Sequence, residues 1–164
     1  MASNMFLKLD GIKGESSDSN HKDWIEILSW SHSFSQPTSP VRDSSGATVE
    51  RCNHSPLSVS KYIDVATVDI LGKCWAGKVL KKATIECFRA DGDNKPIKYL
   101  DIDMEKVVIG NWSTTASGGN VPEERINLFY GKVKYTYVAM DASGKSKGNK
   151  PVSHDLVKNE VSDK

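Results

Sequence analysis

The chain has 164 residues, of which 38% are hydrophobic, and its 22 Lys and Arg against 21 Asp and Glu leave a formal net charge of +1. That length suits one domain burying roughly two thirds of the surface its unfolded chain exposes, and the near-cancelling charge gives no reason to expect nucleic acid or a membrane surface as partner. No run approaches the ~18 apolar residues of a membrane span, the opening MASNMFLKLDG has no apolar signal core, and Cys52, Cys74 and Cys87 are odd in number without C-x-x-C spacing, so a cytosolic chain with reduced thiols and no ordinary signal-peptide export is expected.

Met5 to Leu9 reads as a first strand, and GIKGESSDSNHKD as a turn-rich connection of Gly, Asp, Ser and Asn. From Leu28 to Phe34 the side chains alternate, with Trp30, His32 and Phe34 on one side and Ser29, Ser31, Ser33 and Ser35 on the other. Period 2 predicts one long strand with a single packed face. Residues 36–56 then carry three prolines and almost no periodicity; loops of some twenty residues are generally disordered, functional, or ordered by contact with something else.

LSVSKYI resumes a strand, and a helix follows over 65–76. Asp64 suits its N-terminus, Val65, Val68, Leu71 and Trp75 recur at the spacing of an apolar helix face, and Gly77 suits the left-handed position after its end. Further strands are predicted at KVLKKATIECFR, IKYLDIDM and KVVIGNWS, with a turn at ADGDNKP. In the last long strand, INLFYGKVKYTYVAM, the apolar phase slips near Gly131 as a β-bulge would make it. Beyond Asp141 the polar tail, 141–164, offers one short strand at 152–157.

Chemistry-bearing patterns are weak. No G-x-S-x-G elbow supports a catalytic serine. His21 with Glu15, Asp18 and Asp23 reads as a polar turn whose side chains satisfy backbone N–H groups. Cys52 and His54 are the best transition-metal pair, but two ligands do not close a tetrahedral site. DGDN lacks calcium-loop spacing, and SGGN lacks the strand-to-helix setting of a phosphate loop. Lys78, Lys81 and Lys82 have no companion run of aromatics that would suggest nucleic acid. The residues therefore predict a mostly antiparallel β-domain with one helix, no cofactor and no metal, acting as an interaction or structural protein rather than an enzyme.

The stretch GESSDSNHKDWIEILSWSHSFSQP, with Gly14-Glu15-Ser16, Asp18, His21 and Ile25 to Trp30, resembles the Hcp family, the tube protein of the bacterial type VI secretion system. SVSKYIDVAT, CWAGKVLKKATIECFRADGD and IKYLDIDMEKVVIGNWSTTASGGNVPEERINLFYGKVKYTY continue the likeness in order, over roughly residues 1–140. The resemblance implies a two-sheet antiparallel β-barrel with one short flanking helix at 65–76 and a long extended loop at 36–56. It implies homohexameric rings that stack into a tube, bind and protect effector proteins in the lumen, and are secreted without a signal peptide. Its partners would be further copies of itself, a tip spike protein, a contractile sheath and effectors. Ser31 coincides with a lumen-facing cargo-contact position of the family, so Ser29, Ser31 and Ser33 become candidates for effector contact. Val41, Arg42, Asp43, Val49, Glu50 and Arg51 become candidates for an arm laid on the neighbouring subunit. The alternative is a monomeric β-sandwich binding module, for a glycan for example, using Trp24 and Trp112.

Overall fold

In the computed structural model, whose described residues are 4–37, 51–90 and 95–164, the alternating segments become strands. β1, Met5–Leu9, buries Phe6, Leu7 and Leu9 and runs antiparallel to β2, Ile25–Glu26. The polar connection between them folds back through Gly14 N–H to Asp23 O (2.7 Å) and Ser16 N–H to Trp24 O (3.0 Å). A Cβ at position 14 would overlap the Trp24 carbonyl, so the close approach of two backbones requires glycine there.

The single long strand expected over Leu28 to Phe34 is two short ones. β3, Ser29–Ser31, and β4, Phe34–Ser35, belong to different sheets. Strand pairing breaks between them at His32, whose ring nitrogens are both held by tyrosine hydroxyls. Phe34 is correspondingly exposed rather than in the core, lying against the rings of His32, His54 and Tyr135. β5, Asn53–His54, pairs with β4, so the far end of the 36–56 loop does contain regular structure. β6, Leu57–Tyr62, points Leu57, Val59 and Lys61 inward and pairs with β3.

The helix α1, Ala66–Ala76, falls where predicted. The Asp64 carboxylate accepts the Ala66 N–H (2.9 Å), and Gly77, at φ 61°, closes the far end by donating to Cys74 O. Its orientation is opposite to the sequence reading: Ala66, Thr67 and Ile70 are buried, whereas Val65, Val68 and Trp75 are exposed, Trp75 by 81%. The facing is set at the N-terminus. The buried Lys61 ammonium donates to Asp64 Oδ1 (2.8 Å) and to Thr67 Oγ1 (3.5 Å) and ion-pairs with buried Glu124, which turns the Thr67 side of the helix toward the barrel.

β7, Leu80–Ala90, leads to β8, Pro96–Thr115, which is one strand of 20 residues where the sequence suggests two. Its first half pairs with β7 and with β10, Lys132–Met140; from Val108 it pairs with β9, Glu123–Phe129. Lys106, at φ 54°, marks the corner. The phase slip at Gly131 is the matching break, where the chain leaves β9 in one sheet for β10 in the other, and Gly131 N–H donates to Glu105 O (2.9 Å). The tail is more ordered than expected: β11, Ser146–Asp155, pairs along the whole of β10, and β12, Glu160–Ser162, folds back on it, in place of a single strand at 152–157. The predicted turn at 91–94 lies outside the described residues.

One sheet runs β12-β11-β10-β8-β7-β1-β2, and the other runs β3-β6-β9-β8. They share β8 on one side. On the other side, Ile27 N–H bonds to Met5 O (3.2 Å) in the first sheet while its neighbour Leu28 bonds to Ser60 O (2.8 Å) in the second. The wall is therefore carried across both seams, giving the two-sheet antiparallel β-barrel with a flanking helix. Its interior is filled by Leu7, Ile25, Ile27, Leu57, Val59, Ile85, Ile102, Met104, Ile109, Ile126 and Leu128, all essentially without solvent exposure.

Candidate functional site

The serine row belongs to a larger polar face. Register places Ser29 beside Ser60, Ser60 beside Arg125, and Arg125 beside Ser113; the neighbouring row is Ser31, Ser58, Asn127 and Asn111. Paired residues in an antiparallel sheet share a side, and the intervening Leu57, Val59, Ile126 and Leu128 are buried, so both rows face outward. Ser58 Oγ and Asn127 Oδ1 are 2.6 Å apart. This face offers hydroxyls and amides with one cation, Arg125, and no large apolar side chain in either row. A cleft of about 510 Å³ opens at its end, lined by Ser60, Ser113, Thr115, Asn120 and Arg125 among others.

Ser29 and Ser31 are thus brought together with partners that the sequence reading did not single out. The signal was available: Ser58 and Ser60 alternate with Leu57 and Val59, and Arg125 and Asn127 with Ile126 and Leu128. Ser33 is placed elsewhere, beyond the break at His32, where its N–H donates to Ser55 Oγ (2.9 Å) and its carbonyl accepts from Ser55 N–H (2.9 Å). Of the proposed arm residues, Arg51 is exposed beside β5; Val41, Arg42, Asp43, Val49 and Glu50 lie outside the described residues.

Three of the four histidines form a second constellation. Tyr135 OH meets His32 Nδ1 (2.6 Å), His32 Nε2 meets Tyr130 OH (2.7 Å), and that hydroxyl also meets His54 Nδ1 (2.7 Å). His54 Nε2 meets His154 Nδ1 (2.8 Å), and His154 Nε2 donates to Asn159 Oδ1 (3.2 Å). Burial holds His32 down to about 4 and pushes the Tyr135 phenol up to about 12. Burial, with the charges of His154 and Arg51, also depresses His54, and burial raises Tyr130. The relay accounts for the disposition of His54: it bonds to ring partners rather than standing with Cys52 as a metal pair. Among the described residues, no group of three His, Cys, Asp or Glu is placed to hold a metal ion.

The remaining candidates have structural partners. His21 is buried, bonded to Asp18 (2.8 Å) and Glu86 (2.7 Å) and stacked on Phe6, and its hydrogen bond holds the Asp18 carboxyl below the usual range. Glu15 accepts the Val65 N–H (2.8 Å) at the start of α1. Trp24 and Trp112, the aromatic suppliers of a glycan platform, are partly buried; Trp112 donates its indole N–H to Glu124 (3.0 Å). No helix among the described residues is long and apolar enough to cross a membrane.

Comparison with known proteins points one way. The family model described as "Type VI secretion system effector, Hcp" matches residues 6–137. "Protein hcp1" of Pseudomonas aeruginosa is 34% identical over 155 residues, covering 94% of each chain. A solved structure described as that of a type six secretion system protein superimposes with a TM-score of 0.88 at 27% identity, over 98% of this chain and 100% of its own. Hcp1 from Salmonella typhimurium superimposes with a TM-score of 0.80 at 28% identity, over 99% and 100% of the two chains.

Proposed function

From the premise that the chain belongs to the Hcp family of type VI secretion proteins, we propose that it forms homohexameric rings which stack into a tube, with the Ser29/Ser31 face turned to the lumen. The tube would bind effector proteins there and deliver them from the cytoplasm to the outside or into a target cell, capped by a spike protein and driven by a contractile sheath. It catalyses no reaction in this reading.

The observation that carries the reading is the outward face of the smaller sheet. A channel that passes varied folded cargo needs a wall that hydrogen-bonds with little fixed charge and presents little bulk. The two rows Ser29-Ser60-Arg125-Ser113 and Ser31-Ser58-Asn127-Asn111 have that chemistry on neighbouring strands. Against the glycan-binding alternative stands the partial burial of Trp24 and Trp112, since a sugar-stacking platform needs open aromatic faces.

Light scattering on the size-exclusion peak, followed by negative-stain images, tests the assembly. Rings give a mass of about 109 kDa, six times the 18.1 kDa chain, and hollow particles; a persistent monomer at micromolar concentration defeats the proposal. In a ring-forming preparation, Ser31→Gln places a bulky amide on the proposed lumen wall and is expected to abolish co-purification of an effector while leaving the ring mass unchanged. Unchanged cargo binding would remove Ser31 from the contact surface.

A further inference from the structure

The histidine–tyrosine relay joins four separate parts of the chain: the link from β3 to β4 (His32), β5 (His54), the β9–β10 break and β10 (Tyr130, Tyr135), and β11 (His154). Its hydrogens can be counted. Three neutral imidazoles and two phenols supply five hydrogens, and the relay from Tyr135 to Asn159 contains five bonds. With Asn159 Oδ1 accepting from His154 Nε2, the direction of every other bond follows: His54 donates to His154, Tyr130 to His54, His32 to Tyr130, and Tyr135 to His32. A sixth hydrogen has no place in the relay. One added proton either sets two N–H groups face to face at the 2.8 Å His54–His154 contact or turns a phenol hydrogen out of the relay.

The surroundings do not compensate an added charge. Trp30 and Phe34 pack on the rings from the 29–35 segment, Cys87 of β7 lies near Tyr135, and Cys52 lies near Tyr130. The charged side chain beside His54 is Arg51, which has the wrong sign. Among the described residues, no carboxylate hydrogen-bonds or ion-pairs with His32, His54 or His154. What the relay holds in place is the β4–β5 pair: Phe34 and His54 are cross-strand neighbours in it, and Ser33 and Ser55 exchange hydrogen bonds at its end.

We propose that the His32–Tyr130–His54–His154 relay is an acid-labile latch, which fastens the β4–β5 pair to the barrel and to β11 while it holds its five hydrogens and releases it when a proton is added. The latch is a property of the folded chain and does not depend on ring assembly.

Amide hydrogen exchange on the full chain tests it, read at Ser55 and Ser33 at pH 7.5 and pH 5 with the intrinsic pH dependence divided out. Protection at these two amides is expected to fall at least tenfold in acid, while amides in the β7–β8 pairing keep theirs. In a His54→Gln/His154→Gln double variant, whose two new side chains stay neutral at both pH values, the pH dependence is expected to shrink to the part that His32 carries. Equal protection at both pH values, or an equally steep fall in the double variant, overturns the latch. If the double variant does not fold, Tyr130→Phe keeps the ring and removes only the shared oxygen; weak protection at both pH values supports the latch, and wild-type behaviour overturns it. Light scattering at the same two pH values keeps the readings apart. Acid dissociation of rings with Ser55 still protected refutes the latch alone, and a monomer throughout with the expected exchange change refutes the ring alone.

Discussion

At Lys61 a full positive charge is enclosed in the barrel, bonded to Asp64, the Tyr62 carbonyl and Thr67 and ion-paired with Glu124, which also takes the Trp112 indole N–H. Removing one partner of a buried pair leaves the other as an uncompensated charge, costing about 3–5 kcal/mol. Lys61→Met is therefore expected to lose that much in denaturant unfolding, and adding Glu124→Gln to restore at least about half, a coupling within reach of a double-mutant cycle. A single variant as stable as the parent would show that the network contributes nothing to folding. His32 gives a pH-dependent counterpart. Its folded value, about 4, lies below the ordinary 6.5, so as pH falls the unfolded chain takes up the proton first. Stability from this group is complete above pH 6.5 and drains away between 6.5 and 4, on the order of 1 kcal/mol once solvent screening of a partly exposed ring is allowed for. Urea midpoints followed through that window are expected to fall in acid, and His32→Gln to flatten the slope while leaving the part that comes from His54. Neither network was legible beforehand, because the members that close them, Lys61 with Glu124 and His32 with Tyr130 and Tyr135, lie far apart in sequence and meet only through the fold of the strands.

The helix shows where reasoning from periodicity fails at the level of an element. Val65, Val68 and Trp75 make a regular stripe, yet the side that packs carries Ala66, Thr67 and Ile70. An 11-residue helix flanking a barrel needs only a narrow contact, and the Lys61–Asp64–Thr67 bonds choose which side provides it. Ile70→Ala is accordingly expected to cost about 2–5 kcal/mol, and Val68→Ser, at a position 69% exposed, to change stability by no more than about 0.5 kcal/mol. Thermal unfolding of the two variants separates the orientations, since a core-facing Val68 would reverse the order. The strands were easier to read: β1, β6 and β7 fall at the predicted places, β6 with a strict burial alternation and β7 with one from Ala83 to Cys87. β8 was read as two strands because its neighbours change at Val108 while its backbone continues, and the slip at Gly131 was seen but taken for a bulge. Alternation reports which side is buried, not which sheet a strand has entered.

For the whole molecule, the antiparallel β class and the serine row could be read from alternation and the barrel only from the likeness to the Hcp family, whereas the second half of the polar face required the β3-β6-β9-β8 order. The 36–56 loop is where fold and assembly can be tested separately. Its base is part of the fold: Phe34–Ser35 pairs with Asn53–His54, Ser55 returns to Ser33, and His54 enters the relay. Because Ser35 and Asn53 are paired, the two ends of the intervening segment are already close, and a short Gly/Ser turn can replace residues 38–50 without stretching the chain. An arm to a neighbouring subunit made of Val41, Arg42, Asp43, Val49 and Glu50 would be lost, while the barrel keeps its hydrogen bonds and core. Exposed ion pairs contribute only about 0–1 kcal/mol each, so an arm that matters to assembly must act through backbone pairing or burial of its valines. The expected result is a variant with parental circular dichroism that elutes near 18.1 kDa where the parent forms rings. Rings of undiminished mass would place the subunit contacts on other surfaces, and a barrel that fails to fold would show that the segment does more than reach a neighbour.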